Sequence, residues 1–112
     1  GYRDGEDALA RFGRKVQALA QEAGARSISM VAGRDEPMIL YCGVDSYVLI
    51  KRGTREFLNG ERDALVLPER RVAEASGPLP PPVLDSGPIS KRGESRYLLF
   101  LRARPAPPQA TP

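Results

Sequence analysis

The sequence predicts an α+β fold: an N-terminal helix packed on an antiparallel sheet of about five or six strands, with a Pro-rich surface loop before the last strand. Three observations indicate this class. Apolar residues near the N-terminus recur at helical spacing, and later stretches are short apolar runs typical of strands. The runs in the first half are joined by about three to five residues, too few for a crossover between parallel strands. An antiparallel meander is therefore expected.

The helix is predicted over residues 5–24. Asp4 is a suitable N-cap, and Gly24 suits the left-handed residue that ends a helix. Apolar side chains recur there at steps of three and four residues, in one stripe: Leu9, Phe12, Val16, Leu19 and Ala23. The opposite face is polar and typical of a solvated helix surface, with Arg11, Arg14, Lys15, Gln17, Gln21 and Glu22.

Three strands are predicted to follow. Residues 26–32 alternate between apolar side chains and serines, which predicts a half-buried strand. Residues 38–42 are apolar throughout and predict a strand buried on both faces. Residues 47–50 form the third predicted strand. Clusters of Gly, Pro and charged residues separate the three runs and indicate turns.

A second set of strands is predicted around a hairpin. Residues 51–54 indicate a tight turn, and residues 55–58 are expected to return as a strand. Asn59-Gly60 is a strong hairpin signal, and residues 64–67 are its expected partner strand. Pro68 suits the first position of a short helix that extends to Ala75.

The C-terminal part is predicted to add one strand to the same sheet. Residues 77–88 are rich in Pro and Gly, which indicates a loop or polyproline II segment without regular structure. Residues 95–104 are expected to form the last strand, apolar enough to lie centrally in the sheet. Because too few strands follow the loop to be stable alone, we expect one domain over residues 1–104. Residues 105–112 indicate a Pro-rich tail or linker, which suggests a piece of a longer protein.

The composition excludes several functions. The chain has 112 residues, no histidine, one cysteine (Cys42) and a net charge of +3. Imidazole catalysis and a Cys/His zinc site both need histidine, and a disulfide within the chain needs a second cysteine. No run approaches the roughly 20 apolar residues of a membrane span, and no Gly-rich phosphate loop or Gly-x-Ser-x-Gly motif is present. We expect a non-enzymatic, cytoplasmic protein without cofactor or metal.

Two basic segments of similar sequence suggest a partner. Lys51-Arg52-Gly53 and Lys91-Arg92-Gly93 each place two cations beside a glycine at a predicted turn, where free backbone N–H groups favour a phosphate. Further arginines follow each segment, and the last predicted strand contains two more. These residues predict a binding module for DNA or RNA phosphates: Lys51, Arg52, Arg55, Lys91, Arg92, Arg96, Arg102 and Arg104. The alternative interpretation of such turns is an ordinary charged surface.

Other features leave a second function open. Tyr47 and Tyr97 begin predicted strands near the basic segments and are candidates for base stacking, although their apolar neighbours favour the core. Residues 77–82 suit either a polyproline ligand or a stiff connector. The alternative function is a protein-interaction module of a larger assembly that uses a sheet edge or the outer face of the helix.

Overall fold

The computed structural model describes residues 2–31, 42–44, 46–88 and 96–102, with side chains from residue 8 onward. Its elements are listed here in chain order: helix α1 (Tyr2–Glu22), strand β1 (Ile28–Met30), helix α2 (Ile50–Leu58), strand β2 (Ala64–Pro68), a 3-10 helix (Glu69–Glu74), strand β3 (Leu84–Asp85) and strand β4 (Tyr97–Leu101). The described strands form one sheet in the order β1-β2-β4-β3. None of the described helices is long and apolar enough to span a membrane.

The sheet lies between helices α1 and α2. Its side chains point alternately into two apolar clusters, one on each face of the sheet. The first cluster joins α1 to one face of the sheet and includes Leu9, Phe12, Val16, Met30, Ala64, Val66, Tyr97 and Leu99. The second joins α2 to the other face and includes Val31, Ile50, Phe57, Leu65, Leu67, Leu98 and Phe100. Successive residues of β2 and β4 therefore enter opposite clusters, as the two-residue period of a strand requires.

The sheet is mixed, so the prediction of an antiparallel sheet is wrong for the pairing of β1 with β2. β1 pairs with β2 in parallel, whereas β4 is antiparallel to both of its neighbours, β2 and β3. Parallel neighbours need a crossover, and α2 lies in the connection between β1 and β2. The α+β class is confirmed, but the described sheet has four strands rather than five or six.

Helix α2 occupies residues predicted as a tight turn (51–54) and a returning strand (55–58), and both predictions are wrong. In the predicted strand 47–50, Ile50 belongs to α2 and Val48 forms a single parallel bridge with Val31. The buried residues of α2 are Ile50, Gly53, Thr54 and Phe57, which is the i, i+3, i+4, i+7 spacing of one helix face. The Thr54 hydroxyl donates to the Ile50 carbonyl at 2.7 Å, so this buried polar side chain is satisfied within the helix. Gly60 has φ +92° just beyond the helix end, so Asn59-Gly60 ends a helix instead of turning a hairpin.

The remaining predictions mostly locate the right elements with different limits. The positions of α1, β1, β2 and β4 are confirmed, as are the central place of β4 and the left-handed Gly24, with φ +69°. Helix α1 begins at Tyr2, so Asp4 lies inside it and is not its N-cap. Strand β1 was predicted to be half-buried, with its serines exposed, but Ser29 is only 3% exposed. The reason is that both faces of the sheet are covered by helices.

The segment after β2 is more regular than its composition predicted. Residues 69–74 form a 3-10 helix preceded by Pro68, in place of the predicted short helix from Pro68. Leu84 and Asp85 pair with β4, although no regular structure was expected between residues 77 and 88. Cys42 is buried in a turn, and burial raises the pKa of its thiol to about 12. The rest of the predicted strand 38–42 and the tail 105–112 lie outside the described residues.

Candidate anion-binding surface

The structure places the predicted basic residues at three separate locations. Lys51, Arg52 and Arg55 are exposed on the outer face of α2. Arg96 directly precedes β4 and Arg102 directly follows it, so they lie about 20 Å apart at opposite ends of that strand. The other three predicted site residues lie outside the described part of the chain: Lys91, Arg92 and Arg104.

The interpretation of Lys51-Arg52-Gly53 as a turn with free N–H groups is wrong. Gly53 is buried in the first part of α2, and its N–H donates to the Leu49 carbonyl at 2.8 Å. The glycine has a packing function instead. A Cβ at this position would lie 2.7 Å from Val48 Cγ2 and 3.4 Å from Val31 Cγ2, so the absence of a side chain lets α2 approach the sheet.

Lys51 and Arg96 nevertheless lie at the same end of the sheet. Gly53 packs against Val31, which follows β1, so α2 begins near the carboxyl end of β1. Because β2 is parallel to β1, its carboxyl end is at the same side, and that end pairs with the start of β4. The first turn of α2 and the residue before β4 therefore share one end of the sheet.

Two of the predicted cations are partly neutralised by neighbouring carboxylates. Arg52 Nε lies 3.4 Å from Glu56 Oε2, one helical turn away in α2. Arg96 Nη1 lies 3.0 Å from Asp85 Oδ2 across the β3–β4 pair. The Arg96–Asp85 pair is exposed on both sides, and such pairs are worth about 1 kcal/mol or less, so an incoming phosphate can compete for Arg96.

Arg102 has a structural role in the described fold. Its guanidinium donates to the Arg62 carbonyl and, at 3.5 Å, to the Phe57 carbonyl near the end of α2. Gly60 makes room for it, since a Cβ there would lie 2.8 Å from Arg102 Nη1. This arginine joins the end of α2 to the end of β4, so we do not include it in the candidate surface.

Asp63 joins the connection after α1 to the start of β2. Its carboxylate accepts from the Arg26 backbone N–H at 2.8 Å, and the Asp63 backbone N–H donates to Ser27 Oγ at 3.1 Å. The hydrogen bond from Arg26 holds the pKa of Asp63 below its ordinary value, with smaller contributions from Ser27 and Arg102. Charged Asp63 therefore stabilises the folded state.

The first testable prediction concerns this carboxylate. Asp63→Ala is expected to lower the free energy of unfolding by about 1–2 kcal/mol at neutral pH, because it removes an acceptor from a backbone N–H. A lowered folded pKa adds stability above the unfolded pKa of about 3.9, and this stability is lost as the pH falls through the folded value. Urea unfolding at neutral pH and near pH 3 provides the measurement. Between these two pH values, the free energy of unfolding should fall less in the variant than in wild type. An equal loss in both proteins would contradict this role.

The predicted nucleic-acid site did not include the basic face of α1, which was considered only as a solvated surface or a protein contact. Arg11, Arg14 and Lys15 are all exposed at i, i+3 and i+4 spacing, so they lie together on one side of the helix. No ion pair joins any of the three to residues 8–31, 42–44, 46–88 or 96–102, the residues whose side chains the structure describes. The three cations therefore form a basic patch on the exposed face of α1.

Part of this face borders a cleft between α1 and β3. Arg11, Phe12 and Lys15 line one wall, and residues 84–86 line the other. The cleft has a volume of about 70 Å³, room for a small group and a few waters rather than a large ligand. Arg96 joins its border through the ion pair with Asp85. We name these four cations the α1–β3 basic surface: Arg11, Arg14, Lys15 and Arg96.

The aromatic residues near the predicted site belong mainly to the core. Tyr97 is 1% exposed, and its ring centroid lies 6.3 Å from that of Phe12, so it is not a stacking platform for bases. Tyr47 is half-buried and packs against the cluster beneath α1. Neither tyrosine is included in the candidate surface.

The outer edge of β1 is also partly occupied. The Val48 N–H donates to the Met30 carbonyl at 2.9 Å, and Val48 forms a parallel bridge with Val31. Unpaired strand edges are the usual sites for adding a partner strand. The described part of this edge is therefore less available for the predicted alternative of a sheet-edge protein contact.

Comparison with known proteins gives no further guide to the site: no family model, no curated protein and no solved structure matches this chain.

Proposed function

We propose that this protein is a non-enzymatic binding module for a polyanion, most simply the phosphates of DNA or RNA, and that the α1–β3 basic surface makes the principal contact. One observation supports this choice above the others. Arg11 and Lys15 line a cleft whose lining contains one carboxylate, Asp85. Arg14 is exposed beside them on α1, and Arg96 forms an ion pair with Asp85. Clustered positive charge favours phosphate chains, since each neutralised phosphate releases condensed counterions.

The chemistry of the surface suits phosphate. Three of its four cations are arginines, whose planar guanidinium groups bind phosphate oxygens through two parallel hydrogen bonds. Residues 11 and 15 are separated by about 6 Å along the helix, so one face presents successive donors to an extended partner. Such contacts position a backbone without reading its bases, and we propose binding that is insensitive to sequence.

Helix α2 offers a second, smaller contact. Lys51, Arg52 and Arg55 lie on the opposite layer of the molecule from α1, and the Arg52–Glu56 pair reduces their net charge. A straight duplex that follows one face of the molecule does not reach both layers. These three residues therefore make a matched control, because their replacement removes the same formal charge from a different place.

The second testable prediction compares two triple variants. Arg11→Gln/Arg14→Gln/Lys15→Gln is expected to weaken binding to a short duplex by roughly 100- to 500-fold near 0.1 M salt, since each released counterion contributes nearly one log unit there. The slope of log K against log salt should become shallower by about 2 to 3. Fluorescence anisotropy titrations with labelled DNA and RNA, at two salt concentrations, provide the measurement.

The control is Lys51→Gln/Arg52→Gln/Arg55→Gln, which has the same net charge as the α1 variant. It is expected to weaken binding by about tenfold or less. Equal losses in the two variants would show that net charge alone determines binding and would contradict the proposed location. Wild-type protein that binds neither DNA nor RNA at low salt would overturn the proposed function itself.

A further inference from the structure

A proline-rich segment lies on the surface between the 3-10 helix and β3. We name residues 78–83, with the sequence Pro-Leu-Pro-Pro-Pro-Val, the proline strap. Hydrogen bonds hold it at both ends. The Ser76 N–H donates to Thr54 Oγ1 at 2.9 Å and Ser76 Oγ donates to the Lys51 carbonyl at 2.7 Å, while the Val83 N–H donates to the Leu99 carbonyl at 2.8 Å. The strap is therefore anchored to both α2 and β4.

The sequence of the strap favours the polyproline II conformation. Proline fixes φ near about −65°, and a residue that precedes proline is restricted to extended conformations. Four of the six residues are proline, and residues 79–81 each precede one. Polyproline II has three residues per turn, so residues three apart lie on the same edge of the helix.

Five of the six strap residues are exposed. Leu79 is half-buried and packs against the cluster beneath α2, whereas Pro82, on the same edge, is exposed, so the strap contacts this cluster through Leu79. Pro78 and Pro81 lie on a second edge and both are exposed. Pro80 and Val83 lie on the third edge, where Val83 is 50% exposed despite being apolar. Two adjacent edges of an extended proline helix therefore face outward.

We propose that the proline strap is a docking site for a partner protein with an aromatic-lined groove that recognises polyproline II helices. Such a groove contacts two edges of the helix, and here the edge of Pro78 and Pro81 and the edge of Pro80 and Val83 are both exposed, while Leu79 packs against the domain. Because the strap is already ordered at both ends, docking costs little conformational entropy. This site is separate from the α1–β3 basic surface and does not depend on the proposed function.

The test uses the full chain and a set of isolated SH3, WW and EVH1 domains as probes. At least one domain is expected to bind wild type with Kd below about 1 mM, and Pro78→Ala/Pro81→Ala should weaken that binding by about tenfold or more. Pro88→Ala, an exposed proline beyond the strap, is the matched control and should change binding by less than about twofold. Circular dichroism checks that each variant is folded.

A competition experiment does not depend on the variants. Soluble decaproline is expected to displace wild type from the bound domain, because both occupy the same groove. The proposal is overturned if no domain in the set binds wild type, if the strap variant binds as well as the Pro88→Ala control, or if decaproline displaces nothing.

Discussion

Replacing either Leu65 or Val66 with aspartate is expected to unfold the chain at neutral pH. These neighbouring residues of β2 are both fully buried, and they enter opposite clusters, Leu65 beneath α2 and Val66 beneath α1. An unpaired carboxylate in either cluster should cost more than about 4 kcal/mol. Small domains have a total stability of only about 5–15 kcal/mol, so little or none would remain. Far-UV circular dichroism and urea unfolding provide the measurement.

Leu49→Asp is the control for the aspartate itself. Leu49 is 80% exposed at the N-cap position of α2, which has extended backbone and no side-chain capping bond. Aspartate at this position is expected to raise the free energy of unfolding by about 0.5–1 kcal/mol, because its carboxylate caps backbone N–H groups and favours the helix N-terminus. A folded Leu65→Asp or Val66→Asp protein would show that one face of β2 is open, and the three-layer arrangement would be wrong.

Gly53→Ala is expected to destabilise the protein by about 1–3 kcal/mol, the opposite of its usual effect inside a helix. Alanine normally stabilises a helix by about 1 kcal/mol relative to glycine. Here its Cβ would lie 2.7 Å from Val48 Cγ2, and a β-branched side chain has little rotational freedom to move away. Urea unfolding of wild type and variant measures the difference.

A double-mutant cycle identifies the cause of that effect. Val48→Ala removes the methyl group that a Cβ at Gly53 would meet, so Gly53→Ala should be much less destabilising in the Val48→Ala background. The two substitutions are expected to couple by about 1 kcal/mol or more. If Gly53→Ala stabilises the wild-type background, α2 does not approach the sheet as closely as described.

The sequence was sufficient to locate elements whose patterns involve strongly apolar residues. The stripe of α1 and the apolar runs of β2 and β4 predicted helix and strands correctly. Helix α2 was missed because two of its four buried positions are Gly53 and Thr54, which suggest a turn when judged by hydrophobicity. The helical spacing was present in the sequence, but the reason for those small residues, the close packing of α2 on β1, exists only in the folded chain.

Missing α2 also determined the error in topology. The prediction paired consecutive runs within residues 26–50, whose connections are too short for a crossover, and it expected residues 55–58 as the partner of β2. The strand that pairs with β2 is instead β1, and α2 lies in the connection between them. Similarly, β3 has only two residues within a Pro-rich segment, so nothing in the local pattern indicated a strand. Short edge strands form because a neighbouring strand supplies hydrogen-bonding partners, which local sequence does not record.

The candidate surface was predictable only in part. Arg96 was identified from its basic segment, whereas Arg11, Arg14 and Lys15 were interpreted as an ordinary solvated face. Their significance depends on the distant Asp85 and Ser86, which approach α1 because β3 lies at the edge of the sheet. Arg102 was predicted to bind phosphate, but its guanidinium donates to the backbone carbonyls of Phe57 and Arg62. The sequence alone does not indicate that these carbonyls lie beside it.

The most direct test of the proposed function is to locate bound nucleic acid on the molecule. An isotope-labelled sample of the full chain is titrated with a short duplex DNA, and the amide chemical shifts are followed by NMR. The largest changes are expected at residues 11–15 of α1, at residues 84–86 and at Arg96, with smaller changes on the outer face of α2. Changes centred on α2, or no saturable change at low salt, would contradict the account.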